Sequence, residues 1–290
     1  MSDLPAFAAN FMGEEPELIG EPPRDTCAVT VLVTTYNHEQ FIRRCIEGVL
    51  SQRFDQRFHL VIHDDASTDG TAAIVREFAA TYPDRIFAIL QRENQYSRGN
   101  SQFIGILRSI PTPYVALCEG DDFWTDDAKL ERQWSFMQRN VWCALSHHDV
   151  EVLAGPENTA YADEIRHHLR LRRPRHERVV GTALTDGNWI ITCSVMIRTS
   201  CIPADLLREV GAREPNDYLL YSLVTEHGDI GFLPEAMAAY RLHGANLWSS
   251  LPFEERSAAE REVLWFLAAH LSGASADRVR ARLVGNRIVG

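Results

Sequence analysis

The sequence predicts an α/β fold: a mostly parallel central sheet with helices on both faces, followed by a C-terminal helical extension. Three observations carry this expectation. Short apolar runs rich in β-branched residues, the mark of strands buried on both faces, recur between Ala28 and Cys118. Each run is followed by a segment with apolar residues at helical spacing, and that alternation implies right-handed crossovers between parallel strands. Polar clusters stand at the ends of the runs, at Thr35-Tyr36, at Asp64-Asp65 and from Glu119 to Asp122. Open parallel sheets bind ligands beyond the carboxyl ends of their strands, so these clusters are candidate site residues.

Taken in order, Met1 to about Thr26 is rich in Pro, Gly and Glu and reads as an irregular arm. Ala28 to Thr34 is the first strand, and Asn37 with Gln40 forms a capping-box pattern for the helix that follows. That helix carries Phe41, Ile42, Cys45, Ile46, Val49 and Leu50 on one face. Leu60-Val61-Ile62 is the second strand, followed by a helix through Ile74, Val75, Phe78 and Tyr82 that Pro83 closes. Ile86 to Leu90 is the third strand, and a helix spans about Ser101 to Ser109. Tyr114 to Cys118 is the fourth strand, and the next helix shows Leu130, Trp134 and Met137 at i, i+4, i+7.

After Leu153 the alternation stops. Ala154 to Gly181 is polar, with six arginines and three histidines between Arg166 and Arg178, the composition of a solvated face or loop. Asn188 to Arg198 reads as a loop entering a strand. Asp217 opens a helix with Leu219, Leu220, Leu223 and Val224 inward, and Gly228 suits its C-terminal cap. Ile230 to Leu233 and Met237 to Leu242 are two short strand candidates. From Pro252 onward two helices are separated near Ser272-Gly273, and the second carries Arg278, Arg280 and Arg282. Those helices suit packing on the main domain, a membrane-surface element or a dimer contact alike.

Composition removes several functional classes. A chain of 290 residues with a net charge of −11 lacks the basic footprint of a nucleic-acid binder. Its six cysteines form no CxxC pair and no zinc spacing, and several lie in apolar runs as buried free thiols of a reducing compartment would. The N-terminus has no basic segment leading into an apolar one, and no run of about 18 apolar residues exists, so a cytoplasmic protein is expected. There is no G-x-G-x-x-G after the first strand, no Walker loop and no G-x-S-x-G elbow.

The densest chemistry is Glu119-Gly120-Asp121-Asp122, three carboxylates within four positions at the end of a buried run. Acids this close repel one another and need neutralising. A hard divalent cation arriving with a phosphate-bearing substrate would do so, and a carboxylate-rich turn capping the next helix is the plainer alternative.

In their order, Val31 to Asn37, Ile62 to Thr71, Leu117 to Trp124, Asn216-Asp217 and Tyr240 to His243 resemble the family 2 glycosyltransferases. These have the GT-A fold, a Rossmann-like version of the architecture above, and are inverting enzymes that use a nucleotide-diphosphate sugar. The resemblance covers about Val29 to Ser250. It implies an N-terminal arm over 1–27, a transferase domain over 28–250 with a nucleotide-binding half (28–125) and an acceptor half (126–250), and a helical extension over 251–290.

The resemblance also implies roles. Thr35 and Tyr36 would line the nucleotide pocket, Asp64 would accept from the imide N–H of a uracil or thymine, and Arg98 would meet the diphosphate. Asp121 would ligate Mn²⁺ or Mg²⁺, with Glu119 standing where the family has an aspartate and reaching the ribose or an ion-bound water instead. Gly120 and Asp122 complete the donor side, and His243 matches a histidine that completes the metal site in some members. Asp217 matches the general base, with Asn216 where a helper acid is usual; the plainer reading of Asp217 is a cap for its own helix. Trp124, Trp189, Trp248 and Thr192 are candidates for the acceptor side, each tryptophan equally suited to the core.

The implied partners are a nucleotide-diphosphate sugar and a glycan or lipid-linked glycan acceptor, with peripheral membrane contact at the inner face and a homodimer left open. A sugar-phosphate nucleotidyltransferase is disfavoured, because Thr35-Tyr36-Asn37-His38 replaces its Gly-rich, Arg-bearing loop. A silent nucleotide-sugar-binding protein on the same fold is the third reading, and the joint presence of Asp64, Asp121 and Asp217 argues against it.

Overall fold

The computed structural model describes residues 14–100, 102–203, 216–244, 246, 248 and 251–285; the start of the N-terminal arm and the last five residues lie outside them. The parallel core is β2 (Val29–Thr35), β3 (Phe58–Asp64), β4 (Ile86–Leu90) and β5 (Tyr114–Glu119), in the order β4-β3-β2-β5. Their crossovers are α1 (Ile42–Leu50), α2 (Thr71–Thr81) and α3 (Gln102–Ser109), and α4 (Lys129–Arg139) follows later in the chain. The first four predicted strands therefore stand where the apolar runs place them.

Side-chain alternation assigns the two faces. Val31, Val33, Leu60 and Ile62 pack with Ile42, Ile46, Val49 and Val75 on one side. Leu32, Val61, Ile89 and Leu117 pack with Ile104, Leu107 and the C-terminal helices on the other. Those helices, α7 (Phe253–His270) and α8 (Gly273–Gly285), contribute Val263, Leu264, Leu267 and Val279 to that same buried cluster. They part at Ser272-Gly273, where Gly273 takes φ +51, a left-handed value that glycine adopts without strain.

Beyond β5 the sheet continues through short β9 (Met196–Arg198), antiparallel to both neighbours, to β7 (Cys143–Ala154) and β10 (Asp229–Leu242), which run parallel to each other. The two-residue strands β6 (Phe123–Trp124) and β8 (Arg178–Val179) pair antiparallel with β10. β10 also joins the two short strand candidates into one strand, since Pro234 and Glu235 are absorbed by register shifts between Leu233 and Ala238.

Several local expectations change. Part of the irregular arm is a strand, β1 (Glu17–Ile19), antiparallel to β4 and closing the sheet edge. Asn37 does not cap α1: it lies at φ 56, and its side-chain oxygen accepts the Thr68 N–H at 2.8 Å, tying the β2 loop to the β3 loop. Gly228 is extended at φ 165 and forms no left-handed cap; a Cβ there would stand 2.6 Å from the Trp142 carbonyl oxygen. The Arg/His-rich stretch holds a helix, α5 (Thr159–Arg172), which buries Ala162 with Ile165 and Leu169 against Val152 and Leu242. Its basic residues form the solvated face. Five of the six cysteines are buried, and among the described residues all are free thiols. No helix among the described residues is long and apolar enough to cross a membrane.

Candidate functional site

The ends of β2, β3 and β5 meet in one corner because the three strands pair in register, Thr35 against Asp64 and Thr34 against Glu119. Within that corner the acids of Glu119 to Asp122 are not equivalent. Asp121 Oδ2 stands 3.0 Å from His243 Nε2 and 3.8 Å from His38 Nε2, and it accepts the Asn246 amide at 2.9 Å. Burial pushes the Asp121 carboxyl up, but the His243 hydrogen bond and the neighbouring His38 outweigh it and hold the group below its usual range.

Asp122 faces inward and is fully buried. Its Oδ1 accepts the Arg241 main-chain N–H at 2.8 Å, while burial, then Asp121 and Glu119, raise its carboxyl well above the ordinary value. Asp122 is thus an inward-facing strut to β10, which does not fit the donor-contacting role expected of it. Glu119 is part-exposed, and its carboxylate lies within 4.8 Å of those of Asp121 and Asp122.

Donor atoms around one ion at nitrogen and oxygen distances of about 2.1 Å lie at most about 4.2 Å apart. The distances from Asp121 to His38 and His243 satisfy that limit, and a carboxylate with two imidazoles is a metal-binding donor set, so the residues fit a divalent ion. Sequence reasoning found Asp121 and His243 and missed His38, which no periodicity marks. His38 sits in the β2 loop with its Nδ1 3.2 Å from Thr35 Oγ1 and its main-chain N–H donating to Thr71 Oγ1 at 2.8 Å. Thr35, expected to line the nucleotide pocket, is itself nearly buried and orients this imidazole. Gly120 is what allows the approach: a Cβ there would stand 2.5 Å from Thr35 Oγ1 and 2.9 Å from His38 Nδ1. Arg241 braces the same corner, its guanidinium between the Phe41 and Phe123 rings at 4.6 and 5.0 Å and donating to the Asp121 carbonyl.

Beside the corner, Asp64, Ser67, Asp69, Arg76, Arg92 and Glu17 line a cavity of about 440 Å³. Asp64 is buried and accepts both the main-chain N–H and the hydroxyl of Ser67, and burial raises its carboxyl despite those bonds. Arg76 is held by Glu17 at 2.8 Å, so strand β1 supplies one wall; the irregular reading of the arm hid this. Asp69 accepts the Thr71 N–H at 2.9 Å and engages the start of α2. Tyr36 is exposed just past the end of β2, outside the lining of that cavity, while Arg98 pairs with Glu93 at 2.7 Å on the surface.

Asp217 lies in the first turn of α6 (Asn216–Val224). Its Oδ1 accepts the Tyr218 N–H at 2.7 Å and its Oδ2 accepts the Asn188 amide at 2.8 Å. Burial raises its carboxyl to about 6, against the downward pull of both hydrogen bonds. Asn188 is thus the neighbour that steadies this acid, a pairing across 29 residues that no local motif reveals. Thr192 is half-buried beside Tyr221, one helical turn after Asp217.

The tryptophans separate cleanly. Trp124 is 4% exposed, donates to the Cys193 carbonyl at 3.0 Å and carries the Lys129 ammonium 4.0 Å above its ring, so no face is left for a sugar. Trp189 is 7% exposed and packs edge-on against His147 at 4.9 Å. Both belong to the core instead of an acceptor surface, while Trp248 is part-exposed.

The model of glycosyl transferase family 2 matches residues 30–199, from β2 through β9. The Mycobacterium tuberculosis protein Rv1520 is 32% identical over 265 residues, covering 89% of this chain and 70% of that protein. An uncharacterized glycosyltransferase of Nostoc, alr2836, is 26% identical over 227 residues, covering 75% of this chain and 66% of that one. Among solved structures, S. aureus TarS 1–349 in complex with UDP-GlcNAc has a TM-score of 0.62 at 17% identity, covering 88% of this chain and 71% of that one. The mannosyltransferase PcManGT of Pyrobaculum calidifontis, in complex with GDP-Man and Mn²⁺, has a TM-score of 0.51 at 17% identity, covering 91% and 76%. With its central parallel sheet, its helices on both faces and this family match, the chain belongs to glycosyl transferase family 2, has the GT-A fold and is a glycosyltransferase.

Proposed function

We propose that the chain is an inverting glycosyltransferase that moves a sugar from a nucleotide-diphosphate sugar, UDP- or dTDP-linked by preference, to an acceptor hydroxyl in surface-glycan synthesis. The observation that carries this reading is the corner at Asp121, where a carboxylate and two imidazoles stand at the carboxyl ends of β2 and β5 beside a cavity containing Asp64. The cavity suits a nucleobase, with the buried Asp64 facing an imide N–H and the exposed Tyr36 ring available for stacking. TarS is described with UDP-GlcNAc and PcManGT with GDP-Man and Mn²⁺, and a donor of that class suits this chain. The glycan setting draws on a Bacillus subtilis relative, 29% identical over 152 residues, whose name assigns it to teichuronic acid biosynthesis.

Asp121, His38 and His243 would hold a divalent ion, which supplies Lewis-acid stabilisation of the departing diphosphate. The chain's own residues do the rest. Asp217 takes the proton of the attacking acceptor hydroxyl, a contribution of about 10²–10⁴-fold for a positioned general base. Burial suits it to that task by raising its affinity for the proton, and the Asn188 amide fixes the carboxylate plane. Residues 28–250 form the transferase unit in this reading, 251–290 form the C-terminal extension, and the enzyme works in the cytoplasm.

The test is a donor panel of UDP-, dTDP- and GDP-sugars with Mn²⁺, Co²⁺ or Mg²⁺, scored for binding and for donor hydrolysis or transfer. A UDP- or dTDP-sugar should bind and turn over. Absence of both binding and turnover across the panel overturns the reading.

A further inference from the structure

We propose that His38 is a direct metal ligand and that the metal site is a two-imidazole, one-carboxylate triad of His38, Asp121 and His243, selective for transition-metal ions over Mg²⁺. The inference rests on the reading above only in placing this triad at the donor site; the triad stands on its own geometry. The three donor atoms lie within 4.8 Å of one another and come from three separate segments, the β2 loop, the β5 loop and the end of β10.

Each ligand is held from behind. Thr35 Oγ1 engages His38 Nδ1 at 3.2 Å, which directs the ring so that Nε2 is the nitrogen facing Asp121, at 3.8 Å. This is the outer-sphere bond that fixes tautomer and ring direction in histidine metal sites. The Asn246 side chain does two jobs: its oxygen accepts the His243 main-chain N–H at 2.5 Å and its amide donates to Asp121 Oδ2. The Phe41 ring lies 4.6 Å from the His243 ring and 6.4 Å from that of His38, walling the imidazoles on one side. Gly120 supplies the last condition, since any side chain there would displace Thr35 and His38 together.

Metal class follows from donor chemistry. Imidazole suits Zn²⁺, Co²⁺ and Fe²⁺, whereas Mg²⁺ prefers an all-oxygen shell and keeps its waters. An acid-only site at Glu119, Asp121 and Asp122 would favour Mg²⁺, but Asp122 faces inward with its Oδ1 committed to the Arg241 main-chain N–H. The expected affinity order is Zn²⁺ and Co²⁺ above Mn²⁺, with Mg²⁺ last.

The experiment measures metal binding by the full chain with no donor present. Calorimetry should give the order above, and pulsed EPR of the Mn²⁺-loaded protein should show two imidazole nitrogens. His38→Ala and His243→Ala should each remove one nitrogen signal and weaken Co²⁺ binding at least about 10-fold, the smallest loss usual for a supporting partner alone. Thr35→Val should weaken it by about 10–100-fold with both nitrogens retained. A single nitrogen in the unaltered protein, unchanged Co²⁺ affinity in His38→Ala, or Mg²⁺ bound as tightly as Co²⁺ overturns the triad. Those outcomes leave the donor panel unaffected, while a failed donor panel with two nitrogens on Mn²⁺ removes the transfer reading and keeps the triad.

Discussion

Arg241 and Asp122 are joined across 119 residues by a 2.8 Å hydrogen bond from the Arg241 main-chain N–H to the Asp122 carboxyl. The bond locks the end of β10, and with it His243 two residues on, to the loop that carries Asp121. It gives the third acid after Asp121 a structural role, while burial raises that carboxyl's affinity for a proton. Asp122→Asn retains the accepting oxygen and adds no charge, so its unfolding free energy should stay within about 1 kcal/mol of the unaltered protein. Asp122→Ala strands a buried N–H and should lose about 1–3 kcal/mol in denaturant unfolding. Equal losses in the two variants would show that charge, and not the strut, is what Asp122 provides.

With Asp217 as the proposed general base, its carboxyl is expected to set the acid limb of activity. A general base works only when ionised, and burial raises this carboxyl to about 6, so kcat/KM should climb with pH and level off above that value. The Asn188 amide stabilises the ionised form at 2.8 Å. Asn188→Ala therefore moves the limb to higher pH, and Asp217→Asn loses about 10²–10⁴-fold in turnover while nucleotide affinity is kept. A pH–rate profile for the three proteins checks both statements, and an unmoved limb in Asn188→Ala would remove Asn188 from the mechanism.

Gly120 is the tightest position of the corner. In Gly120→Ala the new methyl meets Thr35 Oγ1 at 2.5 Å and His38 Nδ1 at 2.9 Å, so both side chains must move. Overpacking of this kind costs about 1–3 kcal/mol. Because the displaced atoms orient an imidazole, the loss should extend to Co²⁺ affinity measured by calorimetry. A variant that is destabilised but binds Co²⁺ normally would separate the packing role of Gly120 from the metal corner.

The contrast between β2 and β7 shows what could be read without coordinates. β2, β3 and β5 are buried on both faces and carry short apolar runs, Val31 to Val33, Leu60 to Ile62 and Tyr114 to Leu117, so they and the polar residues at their ends were legible. β7 is as deeply buried over Ser146, His147 and His148, yet its letters are polar and hide it. Helix α5 escaped notice because arginine and histidine surround a narrow stripe of Ala162, Ile165 and Leu169. Motif order singled out Asp121 and His243, which the fold brings to 3.0 Å of each other, and Asp217 at the head of its helix. His38 and Asn188 were not legible, since each acts through a partner 29 or more residues away. Trp124 misled because an aromatic beside an acid cluster looks available, whereas Lys129 and Cys193 had already enclosed it.

Lys129 makes the last case, a fully buried ammonium behind the corner whose Nζ donates to Gln133 Oε1 at 2.7 Å and rests over Trp124. Burial lowers it to about 7 from an ordinary 10.5. Between those two values the unfolded chain binds a proton that the folded chain has released, so this group's contribution to stability rises with pH through that window. The rise is at most about 1.4 kcal/mol per pH unit. Lys129→Met removes the titration, and the melting temperature of the variant minus that of the unaltered protein should be greatest at pH 7 and shrink towards pH 9. The difference is the quantity to read, because the buried thiols of Cys118 and Cys193 are pushed up and titrate against the trend. The lost donor to Gln133 offsets the variant's stability by the same amount at every pH and leaves the slope untouched. A difference that stays constant from pH 7 to 9 would mean that Lys129 keeps its ordinary proton affinity inside the core.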